Sequence, residues 1–293
     1  MKITIGIDLG GTRIKAVAID EQGSILHQLY LPTNDGDGAV WKKAVTDAVY
    51  DLVNKLNLKN YTVGISAPGL PNENNSAIAF MPGRMQGLEN FIWSDFLRQQ
   101  TFVLNDAVAA MMAEAKFGAA RNRQQVVMLT LGTGVGGAIL IDGKPYQGSF
   151  SKAGHIGHMV INDEGDIDVT GMPGSLEDCI GNCTIEKRSK GKYLSTHALL
   201  DDYRKGDAMA KEIWLKSVRH LAIGLASVSN ILSPEVIVLG GGITEAGKDL
   251  FEPLDEYMLR YEWRAGGNKV DIVKASHGDL AGAIGAACFA MEK

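Results

Sequence analysis

Ile5-Gly6-Ile7-Asp8-Leu9-Gly10-Gly11-Thr12 stands near the start of the chain, followed by an apolar return, Ala16-Val17-Ala18-Ile19-Asp20. The same design recurs in Met128-Leu129-Thr130-Leu131-Gly132-Thr133-Gly134, with its return in Gly137-Ala138-Ile139-Leu140-Ile141-Asp142. Asp8 matches Thr130, Gly10 matches Gly132 and Asp20 matches Asp142, each pair 122 positions apart. Branched apolar runs favour strands, and the glycines between them permit a tight reversal. Such a turn leaves backbone N–H groups facing outward. With no Cβ in the way, they and the hydroxyls of Thr12 and Thr133 can approach phosphate oxygens. One glycine turn fits an ordinary hairpin equally well. Two copies in register make Gly10, Gly11, Thr12, Gly132, Thr133 and Gly134 candidate ATP-phosphate ligands, with Lys15 placed to neutralise phosphate charge.

The chain has 293 residues, 45% hydrophobic and 22% charged, which suits two globular domains. A net charge of −5, without a dense Lys/Arg block, argues against nucleic acid as a partner. The most apolar stretch, residues 221–243, carries Ser229, Asn230, Ser233, Pro234 and Glu235, so it reads as a helix followed by a strand and no membrane span is expected. Met1-Lys2-Ile3-Thr4 leads directly into the first strand without a signal-peptide pattern, and the three cysteines are too few for a disulfide framework. Both point to the cytoplasm.

Between the glycine turns, periodicity predicts a helix over 39–56, a strand over 61–66 ending at the breaker-rich Ala67-Pro68-Gly69, a loop over 71–87, a helix over 93–100 and a strand over 102–104. A loop after a strand is a common place for a binding residue, which makes Gly69 a candidate. A helix over 107–117 follows. Residues 150–192 read as irregular, with one helix near 176–187. A long buried helix runs from about Asp207 to Pro234, then a buried strand, Val236 to Leu239, enters Gly240-Gly241-Gly242. Asp279-Leu-Ala-Gly-Ala-Ile-Gly-Ala-Ala forms a small-residue helix able to pack closely.

Asp106 is the carboxylate of most interest. It sits where a strand gives way to a helix, and a carboxylate there can accept the proton of a hydroxyl attacking a γ-phosphorus. Capping the helix is the competing role for Asn105 or Asp106. Asp8, at the end of the first strand, suits Mg²⁺ held directly or through water. The backbone at Gly240, Gly241 and Gly242 allows close approach of adenine and ribose. His155 and His158 form His-x-x-His, with Cys179 and Cys183 some distance on. That spacing is loose for zinc, and the histidines suit hydrogen bonding to a sugar better.

With these residues assembled, the chain resembles the ROK family of sugar kinases and related repressors, within the actin-like ATPase architecture. The resemblance rests on Asp8-Leu-Gly-Gly-Thr-Arg-Ile-Lys15, Ser66-Ala-Pro-Gly69, Leu104-Asn-Asp106, Leu131-Gly-Thr-Gly-Val-Gly-Gly137, Gly157-His158, Val238-Leu-Gly-Gly-Gly-Ile243 and Gly282-Ala-Ile-Gly-Ala286. It implies an α/β fold of two actin-like (ribonuclease H-like) domains with a cleft between them. One domain comprises residues 1–119 joined by the C-terminal helix 280–293, and the other residues 120–279. It further implies a homodimer that passes the γ-phosphate of ATP, with Mg²⁺, to the 6-hydroxyl of glucose or a related hexose. Asp106 takes the role of base, while Asn105, His158 and Glu177 contact the sugar.

Two departures stand out. Where family members carry a sugar-binding glutamate in Gly-Glu-x-Gly-His, this chain has His155, and a neutral imidazole accepts one hydrogen bond where a carboxylate accepts several. Where many members bind zinc through Cys-x-Cys-Gly-x-x-Gly-Cys-x-Glu, residues 168–177 here keep the glycines and Glu177 but replace every cysteine. Zinc is therefore not expected. An N-acetylmannosamine or N-acetylhexosamine kinase is the alternative within this frame, followed by a non-catalytic sugar-binding relative. A repressor needs a helix-turn-helix ahead of the first strand, where only Met1 to Thr4 stand. An actin-type structural protein has no need of a base such as Asp106.

Overall fold

The computed structural model describes residues 2–83 and 85–293. The chain divides into two compact units, residues 1–122, 145–152 and 275–293 forming the first and residues 123–144 and 153–274 the second.

In the first unit, β1 (Ile3–Leu9) and β2 (Arg13–Ile19) make the antiparallel hairpin around the first glycine turn, with Asp8 opposite Lys15. Asp20 closes the next reversal by accepting from the N–H groups of Gln22 and Ser24 at 2.9 and 2.8 Å, which feeds β3 (Ile25–Pro32). Helix α1 (Gly38–Leu56) starts on an Asp37 cap and stops where Asn57 turns left-handed at φ 50°. It buries Trp41, Val45, Ala48, Val49 and Leu52 on one helical face. Then come β4 (Tyr61–Ala67), β5 (Leu70–Pro71), β6 (Ile78–Phe80), α2 (Trp93–Leu97), β7 (Thr101–Asn105) and α3 (Asp106–Phe117). The main sheet runs β3-β2-β1-β4-β7, with β1, β4 and β7 parallel.

The second unit repeats that order. Strands β8 (Val126–Leu131) and β9 (Val135–Ile141) form the antiparallel hairpin around the second glycine turn. After the two-residue β10 (Lys144–Pro145) come the short helices α4 (Leu176–Ile180) and α5 (Ile185–Arg188), then α6 (Thr196–Arg204) and α7 (Ala208–Leu232). Strand β11 (Val236–Gly240), helix α8 (Lys248–Tyr261) and strand β12 (Asp271–Lys274) follow. The sheet runs β10-β9-β8-β11-β12, matching the first position for position. Its core includes Trp214, Val218, Leu221 and Leu225 of α7 against Val127, Leu129, Ile237 and Leu239 of the sheet.

The last helix, α9 (Ala281–Met291), belongs to the first unit and lies against its sheet, sharing a core with Val17, Ile19 and Ala113. Glycine in the strands makes this approach possible. A Cβ at Gly6 would collide with the carbonyl of Ala283, and one at Gly64 with the carbonyl of Ala286. The close packing expected of the small-residue helix is therefore matched by bare positions in β1 and β4.

Local expectations fail in three places. The helix read over 93–100 ends at Leu97, because Arg98 turns left-handed at φ 50°. The helix read near 176–187 is broken at Gly181, whose extended backbone (φ −56°, ψ 146°) separates α4 from α5. The loop read over 71–87 contains β6, which pairs with β5. Among the described residues, no helix is long and apolar enough to cross a membrane.

Candidate active site

The two glycine turns are built alike. In the first, Gly10 N–H donates to Arg13 O at 3.2 Å, while buried Thr33 occupies the carbonyls by donating from its N–H to Thr12 O at 3.1 Å and from its hydroxyl to Gly10 O. In the second, Gly132 N–H donates to Gly134 O at 2.9 Å. There the N–H groups of Asn182 and Cys183 donate to the carbonyls of Gly132 and Thr133 at 2.9 and 2.8 Å. The carbonyls of Gly10 and Thr12 in the first turn, and of Gly132, Thr133 and Gly134 in the second, are thus engaged. Among the described residues, nothing accepts from the N–H groups of Gly11, Thr12, Thr133 or Gly134. Outward N–H groups with the carbonyls turned away make an anion-binding concavity.

Beside the first turn, Asp8 accepts from Ser66 Oγ at 2.8 Å through one oxygen and from Lys15 Nζ at 3.1 Å through the other. Lys15 also pairs with Asp279 Oδ1 at 3.0 Å. Burial works to lower the Lys15 pKa, but the charges and hydrogen bonds of Asp8 and Asp279 outweigh it and the pKa rises. Lys15 is therefore a fixed cation and not a freely solvated one. Each Asp8 oxygen keeps a further lone pair, so the carboxylate fits a Mg²⁺ ion held through its water shell better than one stripped of water.

At 105–106 the capping role falls to Asn105. Asn105 is the cap of α3, its Oδ1 accepting from Ala107 N–H at 3.0 Å and Val108 N–H at 3.3 Å, while its Nδ2 donates to Gly69 O at 3.1 Å. Asp106 begins the helix, accepts from Ala107 N–H at 2.8 Å and from the Asn105 side chain, and is an exposed residue. Desolvation nevertheless raises its pKa, and the charge of Asp8 adds to the rise.

In the second unit, Gly241 (φ 88°) crosses the end of β8 so closely that a Cβ there would strike the backbone of Leu131. Gly240, Gly241 and Gly242 are thereby brought beside the Gly132–Gly134 turn. Glu177, in the first turn of α4, accepts from Val135 N–H at 2.8 Å, which ties its carboxylate to the other end of the same turn. The rings of His155 and His158 lie parallel, centroids 6.4 Å apart. His158 Nδ1 meets Asp168 Oδ2 at 3.1 Å.

The stretch in which cysteines are replaced is held by hydrogen bonds instead. Asp168 Oδ1 accepts from Thr170 N–H and Thr170 Oγ1, both at 2.7 Å, and from Met172 N–H at 3.1 Å. Ser175 caps α4 by accepting from Asp178 N–H. The Cys179 thiol is buried and pushed up to about 11, which suits packing and not ligation. Among the described residues, no group of three His, Cys, Asp or Glu is placed to hold a metal ion.

The candidate site residues thus form two sets. Asp8, Gly10, Gly11, Thr12, Lys15, Gly69, Asn105 and Asp106 are in the first unit, and Gly132, Thr133, Gly134, His155, His158, Glu177 and Gly240 to Gly242 in the second. Sequence reasoning did not single out Ser66, Asp279 or Asp168. Ser66 does stand in the Ser66-Ala-Pro-Gly69 motif, and Asp279 opens the small-residue helix.

The family model of the ROK family matches residues 4–293. The chain belongs to the ROK family. It is 30% identical to a glucokinase of Streptomyces coelicolor over 327 aligned positions, covering 100% of this chain and 98% of the relative. To an N-acetylmannosamine kinase of Escherichia coli it is also 30% identical, with 98% of each chain covered. A ROK family glucokinase from Streptomyces griseus, solved in complex with glucose and AMPPNP, superposes with a TM-score of 0.81 at 26% identity, covering 99% of this chain and 100% of that one. The fold of this ROK chain is accordingly the family's α/β architecture of two actin-like domains, whose duplicated sheets are the matching strand orders above.

Proposed function

We propose that this ROK protein is an ATP-dependent hexose kinase that transfers the γ-phosphate to the 6-hydroxyl of glucose or a close relative. Its character as a sugar kinase rests on family membership and on relatives of that activity along its whole length. The single observation that carries the mechanism is Asp106, an exposed carboxylate of raised pKa whose capping duty Asn105 has taken over.

The base acts first. Asp106 takes the proton of the sugar hydroxyl as that oxygen bonds to the γ-phosphorus, and the β–γ bridging oxygen leaves with ADP. The raised pKa makes the carboxylate a better proton acceptor. In the first unit, Lys15 and the N–H groups of Gly11 and Thr12 stabilise phosphate charge; in the second, those of Thr133 and Gly134 do so. Asp8 would hold Mg²⁺, which when bound would neutralise further phosphate charge. We assign His155, His158 and Glu177 of the second unit and Asn105 of the first to the sugar hydroxyls.

One observation favours a second reading, an N-acetylmannosamine or N-acetylhexosamine kinase. His155 replaces a carboxylate with an imidazole, which reduces the hydroxyl contacts available and suits a sugar whose C2 carries an acetamido group. A coupled ADP-release assay with glucose, mannose, glucosamine, N-acetylglucosamine and N-acetylmannosamine separates the two. Turnover on glucose or mannose supports the first, and turnover confined to acetamido sugars supports the second. We also take the protein to be a cytoplasmic homodimer, which light scattering of the purified chain tests.

A further inference from the structure

Asp168 is buried, with its side chain sealed from solvent, while the side chain of His158 stays 28% exposed. Three donors, Thr170 N–H, Thr170 Oγ1 and Met172 N–H, converge on Oδ1 and fix the carboxylate plane. Oδ2 is left facing His158 Nδ1 at 3.1 Å. We infer that Asp168 is a positioning residue for His158, holding the ring with its hydrogen on Nδ1 so that Nε2 is presented to the sugar as a hydrogen-bond acceptor.

The reasoning is one of donors and acceptors. An ionised carboxylate only accepts, so a hydrogen bond between these atoms requires Nδ1 to carry the hydrogen, and a neutral imidazole then has a bare Nε2. Asp168 is ionised, because although burial works to raise its pKa, the hydrogen bonds from Thr170, Met172 and His158 outweigh it and hold the carboxyl far below the ordinary range. The site thereby selects a sugar hydroxyl that donates to residue 158. Asparagine at 168 reverses this polarity. Its oxygen can keep the three donors while its amide donates to Nδ1, which moves the ring hydrogen to Nε2 and presents a donor instead.

The test is long-range ¹⁵N–¹H NMR on the full chain labelled at histidine, above the histidine titration range of about 6.5, with His158→Gln assigning the signal. The expected result is Nδ1–H at His158 in the wild type and Nε2–H in Asp168→Asn. An Nε2–H tautomer in the wild type overturns the inference, even if the variant fails to fold. The sugar-facing half rests on the kinase reading. In folded Asp168→Asn the KM for sugar is expected to rise about tenfold or more, with the KM for ATP unchanged. A reversed tautomer with an unchanged sugar KM overturns that half. Absence of any sugar turnover in the wild type overturns the kinase reading and leaves the tautomer result to decide the positioning role.

Discussion

Asp106→Asn separates the catalytic reading of Asp106 from a structural one, because the two predict opposite signs for stability. Asparagine has nearly the same shape and can still accept from Ala107 N–H, while the cap at Asn105 is untouched. Only the ability to take a proton is lost. General-base catalysis contributes about 10²–10⁴-fold, so kcat is expected to fall by that factor, equivalent to about 3–5 kcal/mol of transition-state stabilisation, with the sugar KM little changed. Stability moves the other way. Desolvation and the charge of Asp8 raise the folded-state pKa above the ordinary value of 3.8. Native stability therefore declines as pH rises from the unfolded-state pKa through the raised folded-state one, and the penalty is complete above it. Removing the charge relieves it. Calorimetry at neutral pH is expected to give a Tm for Asp106→Asn equal to or above that of the wild type, the advantage vanishing at acid pH. A lower Tm at neutral pH together with near-normal kcat would refute the reasoning and make Asp106 a helix-start residue. The acid limb of kcat/KM in the wild type should likewise lie above the ordinary aspartate range and be absent from the variant's residual activity.

Three further outcomes follow from the same geometry. Gly64→Ala drives a Cβ into the Ala286 carbonyl, a backbone atom that cannot step aside, so urea denaturation should show a loss of about 3 kcal/mol or more. Asp207 caps α7 by accepting from Ala210 N–H at 2.7 Å, and Asp207→Ala should lower stability by about 1 kcal/mol in the same assay with turnover preserved. Treatment with a chelator should abolish turnover, and Mg²⁺ added without zinc should restore it. A requirement for added zinc would contradict the hydrogen-bonded account of the Asp168–His158 loop.

What could be read from the sequence was set by how local the determining physics is. The two hairpins were legible because their glycines, hydroxyls and branched strands lie within a few residues and recur in register. Helix α7 was legible because its buried residues keep helical spacing between an Asp207 cap and Pro234. Asp106 was legible as a strand-to-helix junction, although only the structure shows Asn105 relieving it of the cap. Strands β3 and β12 have no buried residue and were not read from the sequence, although β3 carries Leu29 and Leu31 at strand spacing. The partnership of Lys15 with Asp279 joins opposite ends of the chain, and that of His158 with Asp168 lies in an aperiodic loop. Neither contact leaves a periodic trace. The break at Gly181 leads into tertiary bonds that no local pattern shows, from Asn182 N–H to Gly132 O and from Cys183 N–H to Thr133 O at 2.9 and 2.8 Å.

The most direct test of the central claim is mass spectrometry of the sugar after incubation with ATP and Mg²⁺, wild type beside Asp106→Asn. The account predicts a hexose 6-phosphate formed one for one with ADP by the wild type and nearly none by the variant. ADP formation that no sugar stimulates, or sugar phosphate formed equally by both proteins, would contradict it.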